Sequence, residues 1–537
     1  MISAEEFAHI KQHAAEMESI DGTRNQLYQQ LDDIYLLRSA DLPDAEWIKE
    51  TISPDGRNAV NGAVRLLTGA DPIFKVPRET NPSKLRKLSD KLERAATSIW
   101  DQAGQVKNRP VHYDVAFSGV HYSEVHILLE STKAIADLQK PGSGSRAHAE
   151  RVARRTPVLF TVVNPRDGHA QWGAMGLEAY YSRRKLSMAD IRSRFGQAVK
   201  GGRKETDLIE VHDYWNRDWH VVWSTDQEVP YIQEPNKDGS IPVVAVICEG
   251  TFLLNGENED TRQGFLYTTL KSNLWQRKNL YLTVMNSLIF AIGANPVLVY
   301  ETEAEDNALN IDYSQPGGVI KIKPGERLTP LLQKIIDPQM IEQMRIIDNL
   351  HEESTMYKTA TGQSIGGNAP FSLVSLLAQA GRLPLVVYQR MISMAITLAM
   401  QEAFRIIKRD GTSVSAGGKT GLQEIKASEI PDEFDLRATL EISLPQDDRL
   451  NVQIAVEGIK TELFSTRYGR EMYAHIGQSQ DMDDEILEEK LARLTAEAEL
   501  QRAVQEMQTQ QGGQQAPEQA PPDMQAPPQE MGGAGMP

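Results

Sequence analysis

The chain has 537 residues, 40% hydrophobic and 24% charged, which is enough for several domain-sized cores, and its formal charge of −17 excludes a protein that coats nucleic acid by bulk attraction. A single cysteine, Cys248, excludes an intramolecular disulfide and a cysteine-based zinc cluster, and suits a reducing compartment. The opening MISAEEFAHIKQHAAEME carries early acids and no apolar stretch of the secretory kind, so no leader is expected. The first 80 residues read as helices with breaks, and RNAVNGAVRLLTGADPIFKVP at 57–77 reads as a helix closed by Gly69 and followed by a short strand. Asn81 and Pro82 open a helix to about Gln105 with Leu85, Leu88, Leu92, Ala95, Ala96 and Ile99 on one face. Val111 to Leu129 shifts toward period two with β-branched and aromatic residues and predicts strands, and 140–156, KPGSGSRAHAERVARRT, reads as a loop or exposed arm.

Strands are predicted at 157–163, 210–223 and 241–246, with a helix at Ser187 to Phe195. A long helix follows from about Arg262 to Ile292, then a β segment from Pro296 to Leu332, and a second helix from Asp337 to Lys358 with Pro338 in its first turn. Thr359 to Phe371, TATGQSIGGNAPF, is a glycine-rich loop, and the helix after it to Lys408 should bend or break at Gly381 and Pro384. Residues 410–446 read as loop and strands, and 447–508 as helix broken near Tyr468 and again near Gly477. The end, from Thr509, is too poor in large apolar residues to offset its ordering entropy and is expected to be disordered.

Between Thr261 and Tyr300 the forty residues include no Asp or Glu, although the chain has 74 acids; the average composition would put about six there. The cations are Arg262, Lys271, Arg277 and Lys278, and in one continuous helix Lys271 and Lys278 share a face with Thr268, Ser272 and Asn279. Leu266, Leu270, Leu274, Tyr281, Met285, Leu288 and Ile292 would form the opposite, packing face of a helix about 45 Å long. The uncharged run from Asn279 to Tyr300 is long enough for a membrane span, but Thr283, Asn286, Ser287, Asn295 and Pro296 interrupt it, and no span is expected.

Three chemical motifs fall short. GGKT at 417–420 lacks the glycine of a phosphate loop where Ser413 stands. His112, His121 and His126 lie near Asp114 and Glu124, but in strands His121 would face away from the other two. Trp172, Trp215, Trp219 and Trp223 fit core and interface packing better than base stacking.

Taken in order, RNAVNGAVRLLTGADPIFKVP at 57–77, TVVNPRDGHAQWGAMGLEAYYSRRKLSMADIRSRFG at 161–196, QRKNLYLTVMNSLIFAIGANPVL at 276–298, GGVIKIKPGERLTPL at 317–331 and ATGQSIGGNAPFS at 360–372 make the chain resemble the portal family of tailed double-stranded DNA bacteriophages. The resemblance implies a mixed α+β, mainly helical fold assembling as a homo-oligomeric ring, usually a dodecamer. It implies a wing at 1–256, a first stem helix at 257–293, a clip at 294–336 and a second stem helix at 337–358. A tunnel loop would follow at 359–371, a kinked helix and wing return at 372–446, crown helices at 447–508 and the tail at 509–537. Thr361, Gly362, Gln363, Ser364, Gly366, Gly367 and Asn368 would then line the channel, where neutral groups can touch phosphate and the glycines permit unusual backbone angles.

Arg262, Lys271, Arg277 and Lys278 would form a basic stem face turned to DNA or to the capsid opening, and Lys321, Lys323, Glu326 and Arg327 a docking edge on the clip. The crown stripe Ile486, Leu487, Leu491, Leu494, Ala498, Leu500 and Val504 fits packing between neighbouring subunits. The implied partners are double-stranded DNA, the large terminase, the major capsid and scaffolding proteins and head-tail adaptor or tail proteins, with no membrane, no cofactor and no metal. The place is the portal vertex of the virion, after assembly in the host cytoplasm. A mainly acidic tube suits sliding DNA, because each phosphate salt bridge would add to an electrostatic trap, and twelve copies would carry about −200. The competing reading, a nuclease or packaging ATPase, needs an acidic metal cluster or a complete phosphate loop; the expectation is that the chain is not an enzyme.

Overall fold

The computed structural model describes residues 2–38, 50–77, 88–105, 110–196, 204–225, 229–248, 263–294, 298–301, 327–330, 338–355, 381–418 and 421–440, with 456, 457, 459–461, 490, 491 and 495 beyond them. The chain divides into two units, Met1–Asp447 and Asp448–Pro537. In the second unit the described residues are helical apart from the turn at Thr461.

The first unit opens with α1 (Ala4–Ile20) and α2 (Gly22–Tyr35). Ser3 and Glu6 form a reciprocal cap: the Ser3 hydroxyl accepts from the Glu6 N–H at 3.2 Å while the Glu6 carboxylate accepts from the Ser3 N–H at 2.9 Å. Then come α3 (Asp55–Leu67), β1 (Ile73–Lys75), α4 (Ser89–Gln105), α5 (Val111–Tyr122), β2 (Glu124–Ser131), α6 (Thr132–Asp137), α7 (Gly144–Arg155) and β3 (Val158–Val163). A meander of strands follows: β4 (Gly168–Gly173), β5 (Gly176–Ser187), β6 (Leu208–Asn216), β7 (Trp219–Ser224) and β8 (Ile232–Pro235), with α8 (Met188–Phe195) between β5 and β6. The remaining elements are β9 (Val243–Ile247), α9 (Tyr267–Lys271), α10 (Leu274–Ala294), β10 (Leu298–Glu301), β11 (Arg327–Pro330), α11 (Pro338–Ser354), α12 (Leu385–Asp410), β12 (Val414–Gly418), β13 (Gly421–Ile425) and β14 (Arg437–Thr439).

The five-stranded meander is buried on both faces. Period-two alternation sends Tyr214, Val221 and Trp223 toward Ile10, Ala14 and Met17 of α1, and sends Ile209, Val211 and Val222 toward Met188, Ile191 and Phe195 of α8. The other main sheet has the order β3-β2-β9, all antiparallel. Its apolar face joins α3, α4, α5 and α12 in one core that also takes in β14, so residues from Leu27 to Leu440 share a single apolar interior. β1 pairs with β14 and ties that early strand to the end of the unit.

The run predicted over 210–223 is two strands, β6 and β7, the strands β4 and β5 were not expected, and two further segments differ in kind from the sequence expectation. Val111 to Tyr122 is a helix, not a strand: it is buried nearly all round, so it lacks the one-sided period that marks a surface helix, and its β-branched and aromatic residues mimic a strand. Ser123, with φ of 58°, turns the chain out of α5 into β2. Gly119 on α5 lets α12 approach, since a Cβ there would sit 3.0 Å from Ile392 Cγ1 and 3.1 Å from the Cys248 sulfur. The second difference is α7, where 140–156 was expected to be irregular; Ser143 caps it by accepting from the Arg146 N–H at 3.2 Å. The predicted helix over 187–195, the helix–strand pair over 57–77 and the break at Pro384, which immediately precedes α12, are all present.

Gly264 lies where a Cβ would come within 2.3 Å of the His121 carbonyl oxygen, a backbone atom held at the end of α5. Gly264→Ala should therefore lower stability by about 1–3 kcal/mol through overpacking, whereas Gly22→Ala, at an open helix start, should be neutral or stabilising by about 0.5 kcal/mol. Urea midpoints of the two variants check the contrast.

Candidate functional site

The site begins with a break. The predicted long helix is two helices: α9 ends at Lys271, Asn273 adopts φ of 55°, and α10 starts at Leu274. Asparagine tolerates the left-handed region better than most residues, and the Asn273 carbonyl accepts from the Arg277 N–H at 3.0 Å. Lys271 and Lys278 therefore do not share one helical face. Lys271 is exposed, with its ammonium 5.6 Å from the centre of the Tyr267 ring.

The inward line of α10 is the second correction. At steps of four, Trp275, Asn279, Thr283 and Ser287 are buried, whereas Tyr281 and Met285 of the expected packing face are only half-buried. Below Trp275 the buried line is polar because its partner is backbone. Residues 50–53 lie beside the helix, and the Ser53 N–H donates to Asn279 Oδ1 at 2.8 Å while the Thr51 N–H donates to Thr283 Oγ1 at 2.9 Å. Asn286 Nδ2 donates to Thr51 Oγ1 at 2.8 Å. Side chains here do what a neighbouring strand would otherwise do for such backbone.

Lys278 is committed inside the chain. Its ammonium donates to the carboxylates of Asp55, at the start of α3, and Asp348, on α11. Burial works against its charge, but the bonds to Asp348 and Asp55 outweigh it and hold the Lys278 pKa above the ordinary lysine value. At Asp55, burial pushes the carboxyl up while Lys278 and the Ser53 hydroxyl pull it down further, so it ends below the usual range. Beside them His351 is 8% exposed, with no hydrogen bond to its Nε2 among the described residues, and burial lowers its pKa. Thr269 on α9 and Ser354 on α11 join hydroxyls at 2.9 Å. α10 and α11 thus stand side by side, and the strands between them in sequence, β10 and β11, form an antiparallel pair that sets Glu301 opposite Arg327.

The outer sides of these helices mix aliphatic side chains with polar ones such as Asn286, Glu342 and Arg345. Leu280 and Ile289 on α10 and Ile341, Ile346 and Leu350 on α11 are each between 42% and 45% exposed. Arg277 is exposed and has no ion pair among the described residues, and Arg327 is exposed at the start of β11. Arg262, Lys321, Lys323 and Glu326, and the loop positions Thr361, Gly362, Gln363, Ser364, Gly366, Gly367 and Asn368, lie outside the described residues.

The other sequence candidates are placed on structural duties. His121 Nε2 lies 3.0 Å from an Asp32 carboxylate oxygen and His126 Nε2 lies 3.0 Å from Glu124, while His112 packs edge-on to Trp100, so the three do not converge. Among the described residues no group of His, Cys, Asp or Glu could hold a metal ion, and no helix is long and apolar enough to cross a membrane. Gly417 and Gly418 end β12 and lead into β13, a hairpin instead of the strand-to-helix turn of a phosphate loop. Trp223 is buried against Phe7 and Tyr181, whereas Trp172 is 51% exposed near the tip of the β4–β5 hairpin. Asp55, Asp348 and His351 were not foreseen; the signal for them was the acid-free stretch itself, since a half-buried lysine within it must draw its counter-charge from other elements.

No family model matches the chain, and no curated protein matches it. Among solved structures the chain is similar to one described as "Neck of empty GTA particle computed with C6 symmetry", with a TM-score of 0.42 and 10% identity over 78% of this chain and 90% of that chain.

Two outcomes check the geometry. Lys278→Met should destabilise the unit by about 1–3 kcal/mol in chemical unfolding, less than a fully buried pair would, because both carboxylates remain partly in water. His351, whose folded-state pKa lies below the unfolded value near 6.5, favours the folded state fully only while neutral, so its share of stability is lost as pH falls below about 6.5. His351→Gln should flatten the loss of stability between about pH 7 and pH 5.

Proposed function

We propose that this chain is the subunit of a ring-forming portal, the channel at one capsid vertex through which double-stranded DNA enters and leaves a tailed-phage head. The observation that carries the reading is the helix pair α10 and α11, which brackets the β10–β11 pair and shows Ile346 and Leu350 one helical turn apart on α11, 42% and 43% exposed. A helix that shows isoleucine and leucine one turn apart is suited to standing against a neighbouring copy, because exposed apolar area gains most when another apolar face covers it. The order of the five sequence segments that resemble portal proteins supports the same reading, as does the acidic charge, which suits a channel that must not trap DNA.

In this reading α10 and α11 are the stem, 294–336 the clip and 359–371 the loop that meets DNA. The large terminase docks on the clip, the capsid and scaffolding proteins surround the ring, and head-tail adaptor or tail proteins join it after filling. The chain itself carries out no chemistry; a separate motor supplies the energy of packaging. The particle is assembled in the host cytoplasm and the ring stays in the virion.

Mass measurement of the purified full chain tests this. With a subunit of 60.0 kDa, a closed ring of about twelve copies would weigh about 720 kDa. Ile346→Asp combined with Leu350→Asp should leave the chain folded, since both side chains are exposed, yet shift it from rings to smaller species. A wild-type chain that stays monomeric at micromolar concentration, or a double variant that forms rings as readily as wild type, would overturn the proposal.

A further inference from the structure

α7 stands apart from the rest of this acidic molecule. Its twelve residues, GSRAHAERVARR, include four arginines and a histidine against one glutamate, and none of its residues is buried. It lies along α6 and touches the β12–β13 hairpin. Arg146 is used locally, bonding Glu150 at 2.9 Å and Asp137 at 3.3 Å. That pairing consumes the helix's own acid and leaves Arg151, Arg154 and Arg155 exposed with no ion pair among the described residues. Favourable interaction with the helix C-terminus accounts for arginines in the last turn, where Arg154 and Arg155 lie, but it does not reach Arg151.

The three positions are spaced i, i+3, i+4, so their side chains leave the helix as one cluster about 6 Å across at Cβ. Guanidinium forks match phosphate oxygens in two-point contacts, and a DNA duplex offers a phosphate about every 3.4 Å of axis along each strand. A protein partner would call for an aromatic or aliphatic anchor within the patch. α7 exposes none: its exposed side chains are Ser145, Ala147, His148, Glu150, Arg151, Arg154 and Arg155, and Val152 is half-buried. Charge without an apolar centre fits a polyanion held through its backbone and without sequence preference.

We infer that α7 is a docking surface for the phosphate backbone of duplex DNA, with Arg151, Arg154 and Arg155 as its contact residues. The choice of DNA as the polyanion rests on the proposed portal function; the surface itself rests on the helix. It is separate from α10 and α11, so it would hold DNA beside the body of the subunit and does not depend on which helix face lines a channel.

The test uses the full chain and a fluorescein-labelled DNA duplex of about 40 base pairs and mixed sequence, with anisotropy read from about 50 to 200 mM salt. Wild type should bind with a steep inverse dependence on salt. The triple variant R151E/R154E/R155E should bind at least about tenfold more weakly at low salt, and its log–log salt slope should be smaller by nearly 3, at about 0.9 per lost phosphate contact. R151K/R154K/R155K should keep the slope, and the thermal midpoint of both variants should match wild type because the altered side chains are exposed. Failure of the wild type to bind, an unchanged slope in the glutamate variant, or equal competition by polyglutamate at the same charge concentration would overturn the inference. Sizing the same samples separates the two readings: rings that form but ignore the duplex sink the α7 surface alone, and a monomer that binds DNA through α7 sinks the ring alone.

Discussion

Backbone that runs beside a helix instead of a strand must find partners for its N–H and C=O groups among side chains, and that requirement governs how α10 is seated. Residues 50–53 meet it through Asn279 and Thr283 of α10, while Asn286 donates to the Thr51 hydroxyl. Once those positions are given over to polar groups, the aliphatic residues of the same helix have to lie elsewhere around its circumference. Leu280 and Ile289, two and a half turns apart and so on opposite sides of the helix, are each 45% exposed. Lys278 completes the arrangement by joining α10 to α3 and α11 through two carboxylates. The helix is therefore anchored by hydrogen bonds and one charge cluster.

The same economy of polar groups appears where α2 meets the sheets. Arg24 donates to the carbonyls of Pro165 and Gly168 at 3.0 Å each and lies 2.9 Å from Asp21. Tyr28 donates to Glu124 at 2.8 Å, and Glu124 also holds His126. One helical turn further on, Asp32 receives Tyr122 at 2.8 Å and Arg166 at 2.7 Å and binds His121, which together keep its carboxyl below the usual range although burial opposes this. These networks fix α2 across β2, the end of α5 and the turn before β4. Buried charges of this kind contribute orientation more than stability, since each must offset its own desolvation.

How much of this was legible in the sequence follows from the physics of each element. α8 announced itself through Ser187 and its acid at Asp190, and α11 through Pro338, because caps are local signals. The alternation in β6 and β7 was readable because the two faces of the meander meet different helices. α5 was not readable, since a helix buried all round has no polar face to give its period away. α10 misled for another reason: of its expected packing face Leu274 is buried while Tyr281 and Met285 are only half-buried, and only the unseen demand of residues 50–53 explains why Asn279 and Thr283 are inside. The break at Asn273 carried no glycine or proline to mark it. For the candidate site, the face that Lys271 and Lys278 were expected to share dissolved with the broken helix, and Lys278 proved to be an internal tie.

On the proposed reading, the exposed Ile346 and Leu350 of α11 are covered by a second copy of this chain. A cysteine placed at Ile346, labelled with a solvent-sensitive fluorophore on a background in which Cys248 is buried, reports on this directly. The expected result is a blue-shifted emission in the assembled protein that reverts toward the water-exposed value when dilution dissociates it. Emission that stays at the water-exposed value in particles shown by mass to be oligomeric would contradict it.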